Sequence, residues 1–218
     1  MTDELRQDIY DRLRLDLIKG HFEAGQKLAI SGLKERYGVG LSPLRETLNR
    51  LAANGLLEQS HQRGFRVPEL SRRGLDDVTD LRRELEGRAL AASIERGEQE
   101  WEVSLVAALH RLKQADAMFD TRAHDQWEHM HSHYHRALIA GCGSSWRLRF
   151  IDQLYDQFDR YRRRAPRSDR RREKLNDQHA RLVEYALARD SRQACALLDE
   201  HITLSWRVAA SSCVEEFD

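Results

Sequence analysis

Four histidines stand at positions from which their imidazole rings could bind one metal ion. Successive residues of a helix are turned by about 100°, so His131 and His135, four residues apart in QWEHMHSHYHRALIAG, share one face. Tyr134 and other apolar residues lie on the same side, whereas His129 and His133 fall on roughly the opposite side. The spacing therefore predicts one inward-facing pair of histidines and one pair that faces water.

Two later helical segments each add one histidine to this set. His179 lies between Leu175 and Leu182 on one apolar stripe, and His201 lies on the apolar stripe of the next helix. A lone histidine on such a stripe is usually a core residue with ordinary hydrogen bonds, but four that converge from three helices favour a metal site. Imidazole suits zinc, nickel, copper and iron, and helical bundles build metal sites between facing helices. A buried polar cluster without metal is the alternative.

An arginine on a buried face indicates that the same region binds an anion. In the segment LDDVTDLRRELEGRALAASI the predicted buried stripe consists of Val78, Leu81, Leu85, Ala89 and Ala92. Arg82 lies inside this stripe, and a buried guanidinium is costly without an anionic partner. A carboxylate ligand could bind it through two parallel hydrogen bonds. Glu86, four residues further on, is the alternative partner.

The helical periodicity shows which elements must position these side chains. From Leu75 onward it predicts helices near 75–96, 99–120, 123–141, 145–164, 172–190 and 191–211, and no strand pattern occurs there. We therefore expect residues 75–214 to form an antiparallel all-helical bundle that binds an effector and mediates dimerisation.

The N-terminal part follows a different pattern. It predicts helices over 5–19, 30–37 and 42–54, the last opened by Ser42 as N-cap and Pro43 as first helical residue. The segment HFEAGQKLA looks like a turn-rich connector, and residues 56–58 and 65–67 flank a turn and predict a β-hairpin. Helix, glycine turn, helix and hairpin make a winged helix-turn-helix over residues 1–70, and ELSRRG over 69–74 looks like a linker. The fold class is thus mainly α, and a small helical domain that docks on protein is the alternative.

The winged helix predicts the residues that would contact DNA. A recognition helix contacts bases with its N-terminal residues, and arginine is the usual reader of guanine. The candidate DNA-binding residues are Ser42, Pro43, Arg45 and Arg50 on the helix, and Arg63 and Gly64 at the hairpin turn.

The composition limits the function classes without choosing among them. The 36 basic and 36 acidic residues give a net charge of +0, so a DNA-binding face would have to be a local patch. No apolar run approaches the length of a membrane span and the first residues do not resemble a signal peptide, so we expect a cytoplasmic protein without membrane contact. Three cysteines without C-x-x-C spacing favour neither a disulfide framework nor a zinc clasp.

The run LKERYGVGLSPLRETLNRLAANGLLEQSHQRGFRV resembles the winged helix of the GntR family. That family has the pattern G-V-S-x-x-P-[LV]-R-E-A-L-x-x-L-x-x-[ED]-G-L, followed by R-G-x-x-V in the wing. The chain keeps Pro43, Leu44, Arg45, Glu46, Leu48, Leu51, Gly55, Leu56, Arg63, Gly64 and Val67. Leu41 stands where a small polar or basic residue is common. The resemblance implies a regulator that binds double-stranded operator DNA as a homodimer.

The helical region resembles the FCD effector domain of the FadR-type branch of this family. Metal-binding members carry D-x-x-x-H on one helix and one histidine on each of two later helices, so here His131 replaces the aspartate. Members also carry D-x-R-x-x-x-E, matched by Asp80, Arg82 and Glu86, and often bind small carboxylates. The resemblance implies a divalent transition metal on His131, His135, His179 and His201, with zinc the leading candidate and nickel the alternative.

The segment WEHMHSHYHRALIAGCGSSWRL and the later R-Y-R over 160–162 resemble the carbon-starvation-induced, glutarate-responsive repressor group. This resemblance implies a repressor whose effector is glutarate or 2-hydroxyglutarate. The metal would bind one carboxylate, Arg82 or Arg160 the other, and Tyr134 would contribute to the same site. A metal-dependent helical-bundle enzyme acting on a small carboxylate is the alternative, although the chain has no H-E-x-x-H. A haem or metal storage bundle would leave the winged helix unexplained.

Overall fold

The computed structural model describes the backbone of residues 3–60, 64–118, 124–165 and 169–213, and the side chains of residues 6–59, 64–118, 125–165 and 174–211. The chain forms two compact units. The N-terminal unit contains the described residues through Leu75, together with Asp156–Ala165 and the described residues from 209 on. The helical unit contains Asp76–Tyr155 and the described residues from 169 to 208.

The N-terminal unit is a three-helix domain with a small sheet. Its elements are α1 (Asp3–Ile18), β1 (Lys27–Leu28), α2 (Ile30–Tyr37), α3 (Leu41–Ala53), β2 (Glu58–Ser60) and β3 (Gly64–Arg66). The sheet has the order β1-β3-β2 with antiparallel pairing, so Phe65 lies opposite Leu28 on one side and Gln59 on the other. The β1 strand lies in the segment expected to be a connector, because two residues with so little alternation give no strand signal.

The turn between α2 and α3 is set by one glycine. Gly38 adopts φ +65°, a left-handed conformation that glycine takes without strain, and its N–H and that of Val39 bond back to carbonyls of α2. The α3 helix begins at Leu41 after Gly40, so Ser42 is not its N-cap and Pro43 is its third residue. This differs from the predicted start, and it is compatible with proline because the first-turn N–H groups have no partner within the helix.

Asp16 connects α1 to the helix-turn-helix. Its carboxylate accepts hydrogen bonds from the Tyr37 hydroxyl at 2.6 Å and from Arg36 at 2.8 Å, and it lies 2.9 Å from the His21 ring. Burial alone would raise the pKa of Asp16, but the hydrogen bonds from Tyr37 and His21 outweigh burial and lower that pKa below its usual range. The ionised carboxylate is therefore part of the folded structure of this unit.

Asp156 and Arg160, although distant in sequence, also belong to the N-terminal unit. Arg14 forms a two-pronged salt bridge with Asp156, with a distance of 2.6 Å between Nε and Oδ2. Arg160 donates to the carbonyl oxygen of Pro68 and, at 3.0 Å, to Gln157. This differs from the predicted boundary, which places both residues in the helical domain, because contacts between distant residues leave no periodic signal in the sequence.

The helical unit is built from six long helices in the part of the chain that the structure describes. They are α4 (Arg72–Arg96), α5 (Gln99–Ala117), α6 (His124–Ile139), α7 (Ser145–Arg162), α8 (Asp169–Leu187) and α9 (Ser191–Cys213), with a 3-10 turn over Ala140–Cys142. The first turn of α4 lies inside the expected linker, because Ser71 accepts the Gly74 N–H and caps the helix early. A continuous apolar core from all six helices includes Leu90, Leu105 and Leu138.

The buried face of α4 differs from the predicted apolar stripe. Leu81 is 49 % exposed, whereas Thr79, Arg82 and Glu86 are buried. A helix can bury polar side chains where they bond to one another, so hydrophobic periodicity alone misplaced this face. None of the described helices is long and apolar enough to cross a membrane.

One glycine allows the tight passage from α4 to α5. A Cβ on Gly97 would lie 2.5 Å from the backbone oxygen of Ser93 and 2.2 Å from the Trp101 ring. The backbone carbonyl cannot move away without breaking the end of α4, so any larger side chain at position 97 would distort this corner.

Candidate functional site

The four histidines predicted to face inward come together in the core of the helical unit. His131 and His135 project from α6, His179 from α8 and His201 from α9. One ligand nitrogen from each lies within 4.8 Å of the others. Three of the four are buried and His131 is half-buried, so one side of the cluster is nearer to solvent than the other.

The chemistry and spacing of these donors fit a divalent transition metal. The Nε2 atoms of His131 and His135 are 3.2 Å apart. Two imidazole nitrogens on a tetrahedral zinc ion, with Zn–N bonds of 2.0–2.1 Å, are separated by about 3.3 Å. The His131–His135 pair therefore already has the separation of two zinc ligands, and the other donor nitrogens lie within 4.8 Å of it.

Neighbouring side chains hold the histidine rings in place. Gln178 Oε1 lies 3.2 Å from Nδ1 of His201, and with the proton on Nδ1 this hydrogen bond would leave Nε2 as the donor to a metal. The Tyr134 hydroxyl donates to the backbone carbonyl of His179 at 2.9 Å, and the Trp127 ring stacks on His131 with centroids 4.7 Å apart. Tyr134, predicted to contact an effector, is fully buried here and its ring packs edge-on against His135 and His179.

A second buried polar group lies beside the histidines. Arg82 Nε donates to Glu86 Oε1 at 2.7 Å, and the Tyr155 hydroxyl donates to Glu86 Oε2 at 2.9 Å. The Arg82 guanidinium lies over the Tyr155 ring, 5.1 Å from its centroid. The His135 ring is 6.1 Å from that of Tyr155, so this tyrosine is close to both the histidine cluster and the arginine.

Electrostatics keep Tyr155 a neutral hydrogen-bond donor. Burial, and then the negative charge of Glu86, raise the pKa of Tyr155 well above its usual value. A second guanidinium, that of Arg136, lies 6.0 Å from the same ring and donates to Asp152 at 2.5 Å. The helical unit thus places a set of metal donors next to a buried, carboxylate-paired arginine.

The predicted effector residues belong to both units. Tyr134 and Arg82 belong to the helical unit with the histidines. Arg160 belongs to the N-terminal unit, where the carbonyl of Pro68 and Gln157 occupy its guanidinium. Burial lowers the pKa of Arg160 from its usual value, and the hydrogen bonds to Pro68 and Gln157 go to neutral groups.

The exposed side of α3 carries the predicted DNA-reading residues. Leu44, Leu48 and Leu51 are fully buried, whereas Ser42 and Arg45 are exposed. Pro43 is half-buried at the start of the same helix. The arrangement leaves the Arg45 guanidinium available to a base edge.

The other predicted DNA-binding residues differ in their surroundings. Arg50 is exposed, but its guanidinium lies 3.9 Å from the centre of the Tyr10 ring and donates to Gln7 at 2.9 Å, so it also joins α3 to α1. Gly64 opens β3, where a Cβ would lie 3.3 Å from Lys27 Cε. Arg63 lies outside the described residues.

The structure adds residues that sequence reasoning missed. Tyr155 and Gln178 position the arginine pair and His201, yet each looked like an ordinary helical residue in the sequence. Asn49 is exposed one turn after Arg45 and accepts a hydrogen bond from Gln59 at 3.2 Å. The four-residue step from Arg45 to Asn49 along the outer face of α3 was a signal that could have identified Asn49.

Two family models match the chain. The model described as "Bacterial regulatory proteins, gntR family" matches residues 5–67. The model described as "FCD domain" matches residues 77–204, which contain all four histidines and Arg82.

Two bacterial relatives are similar over most of their length. The uncharacterized HTH-type transcriptional regulator BphR of Paraburkholderia xenovorans (strain LB400) is 41 % identical over 202 residues, 90 % of this chain and 81 % of the relative. The HTH-type transcriptional repressor GlaR of Escherichia coli (strain K12) is 36 % identical over 200 residues, 89 % of this chain and 91 % of the relative.

Solved structures share the fold. E. coli McbR/YncC superposes with a TM-score of 0.81 at 23 % identity, covering 97 % of this chain and 99 % of its own. A transcriptional regulator GntR from Rhodococcus sp. RHA1 gives a TM-score of 0.76 at 16 % identity, covering 95 % and 98 %. These similarities concern the fold alone.

Proposed function

Because the chain belongs to the GntR family of bacterial regulatory proteins, in the FadR-type branch with an FCD domain, we propose that it is a ligand-responsive repressor. The family and these relatives are transcription regulators, so the helical-bundle enzyme considered above is set aside. The GlaR relative is named a repressor, which supports this direction of control. A protein that binds operator DNA acts in the bacterial cytoplasm.

The proposed DNA contacts come from α3 and the wing. Arg45 and Ser42 would contact base edges in the major groove, and the β2–β3 turn with Gly64 and Arg63 would follow the backbone or minor groove. The protein would bind as a homodimer, because a two-fold dimer presents two recognition helices to the two halves of a pseudo-palindromic operator. Arg50 would act chiefly by holding α3 against Tyr10.

The proposed cofactor is one zinc ion, with nickel as the alternative, on His131, His135, His179 and His201. When bound, the ion supplies a positive Lewis-acid centre for a carboxylate. Four neutral imidazoles leave the full charge of the ion uncompensated, which favours an anionic ligand. Gln178 and Tyr134 orient the rings before the ion binds.

The proposed effector is a five-carbon dicarboxylate, glutarate or 2-hydroxyglutarate. The observation that carries this proposal is the buried Arg82–Glu86–Tyr155 group next to the histidines. One carboxylate would bind the metal, and the other would compete with Glu86 for the Arg82 guanidinium. Arg160 is the alternative partner for that carboxylate, and it would have to exchange its hydrogen bonds to Pro68 and Gln157 for the ligand.

The effector can change DNA binding only through a difference in its affinity for two conformations. A carboxylate that draws Arg82 away from Glu86 would also release the Tyr155 hydroxyl, and Tyr155 precedes Asp156 on α7. We propose that the DNA-competent state is the one without effector, in which the Arg82–Glu86–Tyr155 group is intact.

Fluorescence anisotropy tests the regulatory proposal. The purified dimer is titrated on DNA from upstream of its own gene, with and without glutarate or 2-hydroxyglutarate, at one fixed salt concentration. We expect selective binding that one of the acids weakens. Replacing Arg45 by Ala should weaken selective binding by about 1–3 kcal/mol, whereas Arg181→Ala, an exposed change in the helical unit, should not. Selective binding that neither acid changes would exclude the effector, and absence of selective binding would contradict the regulator itself.

The metal proposal has a matched control on the same helix. After dialysis, mass spectrometry should find one metal ion per protomer in the wild-type protein and none in the His135→Ala/His179→Ala variant. His129 and His133 are exposed on α6, so His129→Ala/His133→Ala should retain the ion. Zinc at 100 times its dissociation constant should stabilise the metal-free protein by about 2.7 kcal/mol. Equal metal loss in both variants would rule out the inward-facing site.

A further inference from the structure

A cavity in the helical unit, separate from the histidine cluster, has four arginines among its ten lining residues. Its volume is about 940 Å³. The end of α4, the start of α7 and the turn before α9 form its walls, and four arginines line it: Arg88, Arg96, Arg147 and Arg189. Glu95 is the one acidic residue in the lining.

One of the four arginines, Arg189, stabilises the end of α4. Arg189 donates to the carbonyl oxygens of Ile94 and Gly97, and it pairs with Glu102. These contacts cap the C-terminal end of α4, where free carbonyls would otherwise make the cavity wall negative. Arg189 itself has φ +58°, the single left-handed non-glycine residue in the described part of the chain. This strained turn therefore holds the Arg189 guanidinium on the carbonyls at the end of α4.

The other three arginines remain available to an anion. Arg147, half-buried in the first turn of α7, forms no ion pair with any residue that the structure describes. Among the described residues, Arg88 pairs with Glu84, four residues away on the same exposed helix face, and Arg96 lies 3.9 Å from Glu95. Exposed pairs of this kind are weak and exchange readily for a better ligand.

Two helices also begin at the cavity. Ser144, which caps α7 by accepting the Arg147 N–H at 3.3 Å, and Ser191, the first residue of α9, both line it. Helix starts carry partial positive charge and present N–H groups, which adds to the charge of the arginines.

We propose that this cavity binds a phosphorylated small molecule of nucleotide size. Guanidinium groups bind phosphate through paired hydrogen bonds, and Arg147 and Arg96 approach from two different helices. The apolar wall of Ala91, Ala92 and Ile94 suits a flat ring or sugar. The cavity volume is that of a small-molecule site and far exceeds a free phosphate ion. The site does not depend on the proposed metal or effector.

Displacement of a fluorescent ATP analogue tests this assignment on the full-length protein without DNA, at constant ionic strength. We expect the probe to bind, and ATP and AMP to displace it at concentrations at least tenfold lower than inorganic phosphate does. Arg147→Ala should weaken probe binding at least tenfold, and Arg147→Lys, which keeps the charge but loses the paired geometry, should weaken it less. Arg149→Ala removes the same charge from the same helix outside the cavity and should change binding less than twofold.

Three results would overturn the proposal. Equal weakening by Arg149→Ala would show attraction to surface charge alone. Loss of probe binding in Arg45→Ala would locate the probe on the recognition helix. Displacement by phosphate as effective as by AMP would exclude a site of nucleotide size. Retained probe binding in His135→Ala/His179→Ala would support a site independent of the metal pocket, and circular dichroism would verify that each variant is folded.

Discussion

Replacing Tyr155 by Phe removes one hydrogen bond from the buried group beside the histidines. The aromatic ring and its packing stay the same. The Tyr155 hydroxyl donates to Glu86 Oε2 at 2.9 Å, and Arg82 donates to the other oxygen of the same carboxylate at 2.7 Å. All three side chains are buried, with exposures of 7, 1 and 5 % for Tyr155, Glu86 and Arg82. In the variant, one carboxylate oxygen would lose a buried donor.

The expected cost is about 2 kcal/mol of unfolding free energy. A hydrogen bond to a charged group contributes about 1.5–3 kcal/mol, and a buried acceptor left without its donor costs a similar amount. Phenylalanine retains the packing of the ring, so no cavity contribution is expected. For a protein of this size, 2 kcal/mol corresponds to a decrease in Tm of about 4–8 °C.

Urea unfolding followed by circular dichroism measures this loss at one protomer concentration, because dimerisation would make stability depend on concentration. Tyr185→Phe is the matched control: the Tyr185 hydroxyl only accepts an exposed hydrogen bond from Arg181 at 3.2 Å. We expect the control to change stability by less than about 0.5 kcal/mol. If both variants lose the same small amount, Glu86 is not held by Tyr155 and the proposed connection from effector site to α7 is wrong.

Three further predictions concern the framework around the sites. The Arg14–Asp156 salt bridge is largely shielded from solvent, so Arg14→Ala or Asp156→Ala should each lower the free energy of unfolding by about 2 kcal/mol. A double-mutant cycle should give a coupling energy above about 1 kcal/mol, and additive effects would refute the pairing. The pKa of Asp16 is lowered in the folded protein, so its stabilising effect is present above the unfolded-state pKa of about 3.9 and is lost as the pH falls through the folded-state value. The difference in urea midpoint between wild type and Asp16→Asn should therefore be smaller at pH 3 than at pH 7. An equal difference at both pH values would contradict this. Leu81→Ala should change the free energy of unfolding by less than about 0.5 kcal/mol, because Leu81 is exposed, whereas Leu90→Ala should lower it by about 2–5 kcal/mol. Thermal melts measure both variants, and a larger loss in Leu81→Ala would contradict the burial of this helix face.

Helix periodicity and turn residues predicted most of the fold. The helices α2 to α9 appear within a few residues of their expected bounds, because apolar spacing and glycine stops are local properties of the chain. The same rules placed four histidines on inward faces, and those rings do converge. The errors occurred where hydrophobic periodicity did not predict which face of a helix is buried. Leu81 is exposed, whereas Arg82 and Glu86 are buried and hydrogen-bonded to each other.

By itself, then, the sequence determined the order of the elements, the family and the identity of the candidate metal donors, since these depend on residue type and spacing along the chain. The tertiary structure alone decided which side chains share a site. It paired Glu86 with Tyr155, and it placed the Arg160 guanidinium against the carbonyl of Pro68. It also gathered arginines from the ends of separate helices around one cavity. Such pairings join residues tens of positions apart, and each depends on helix packing that no window of sequence contains.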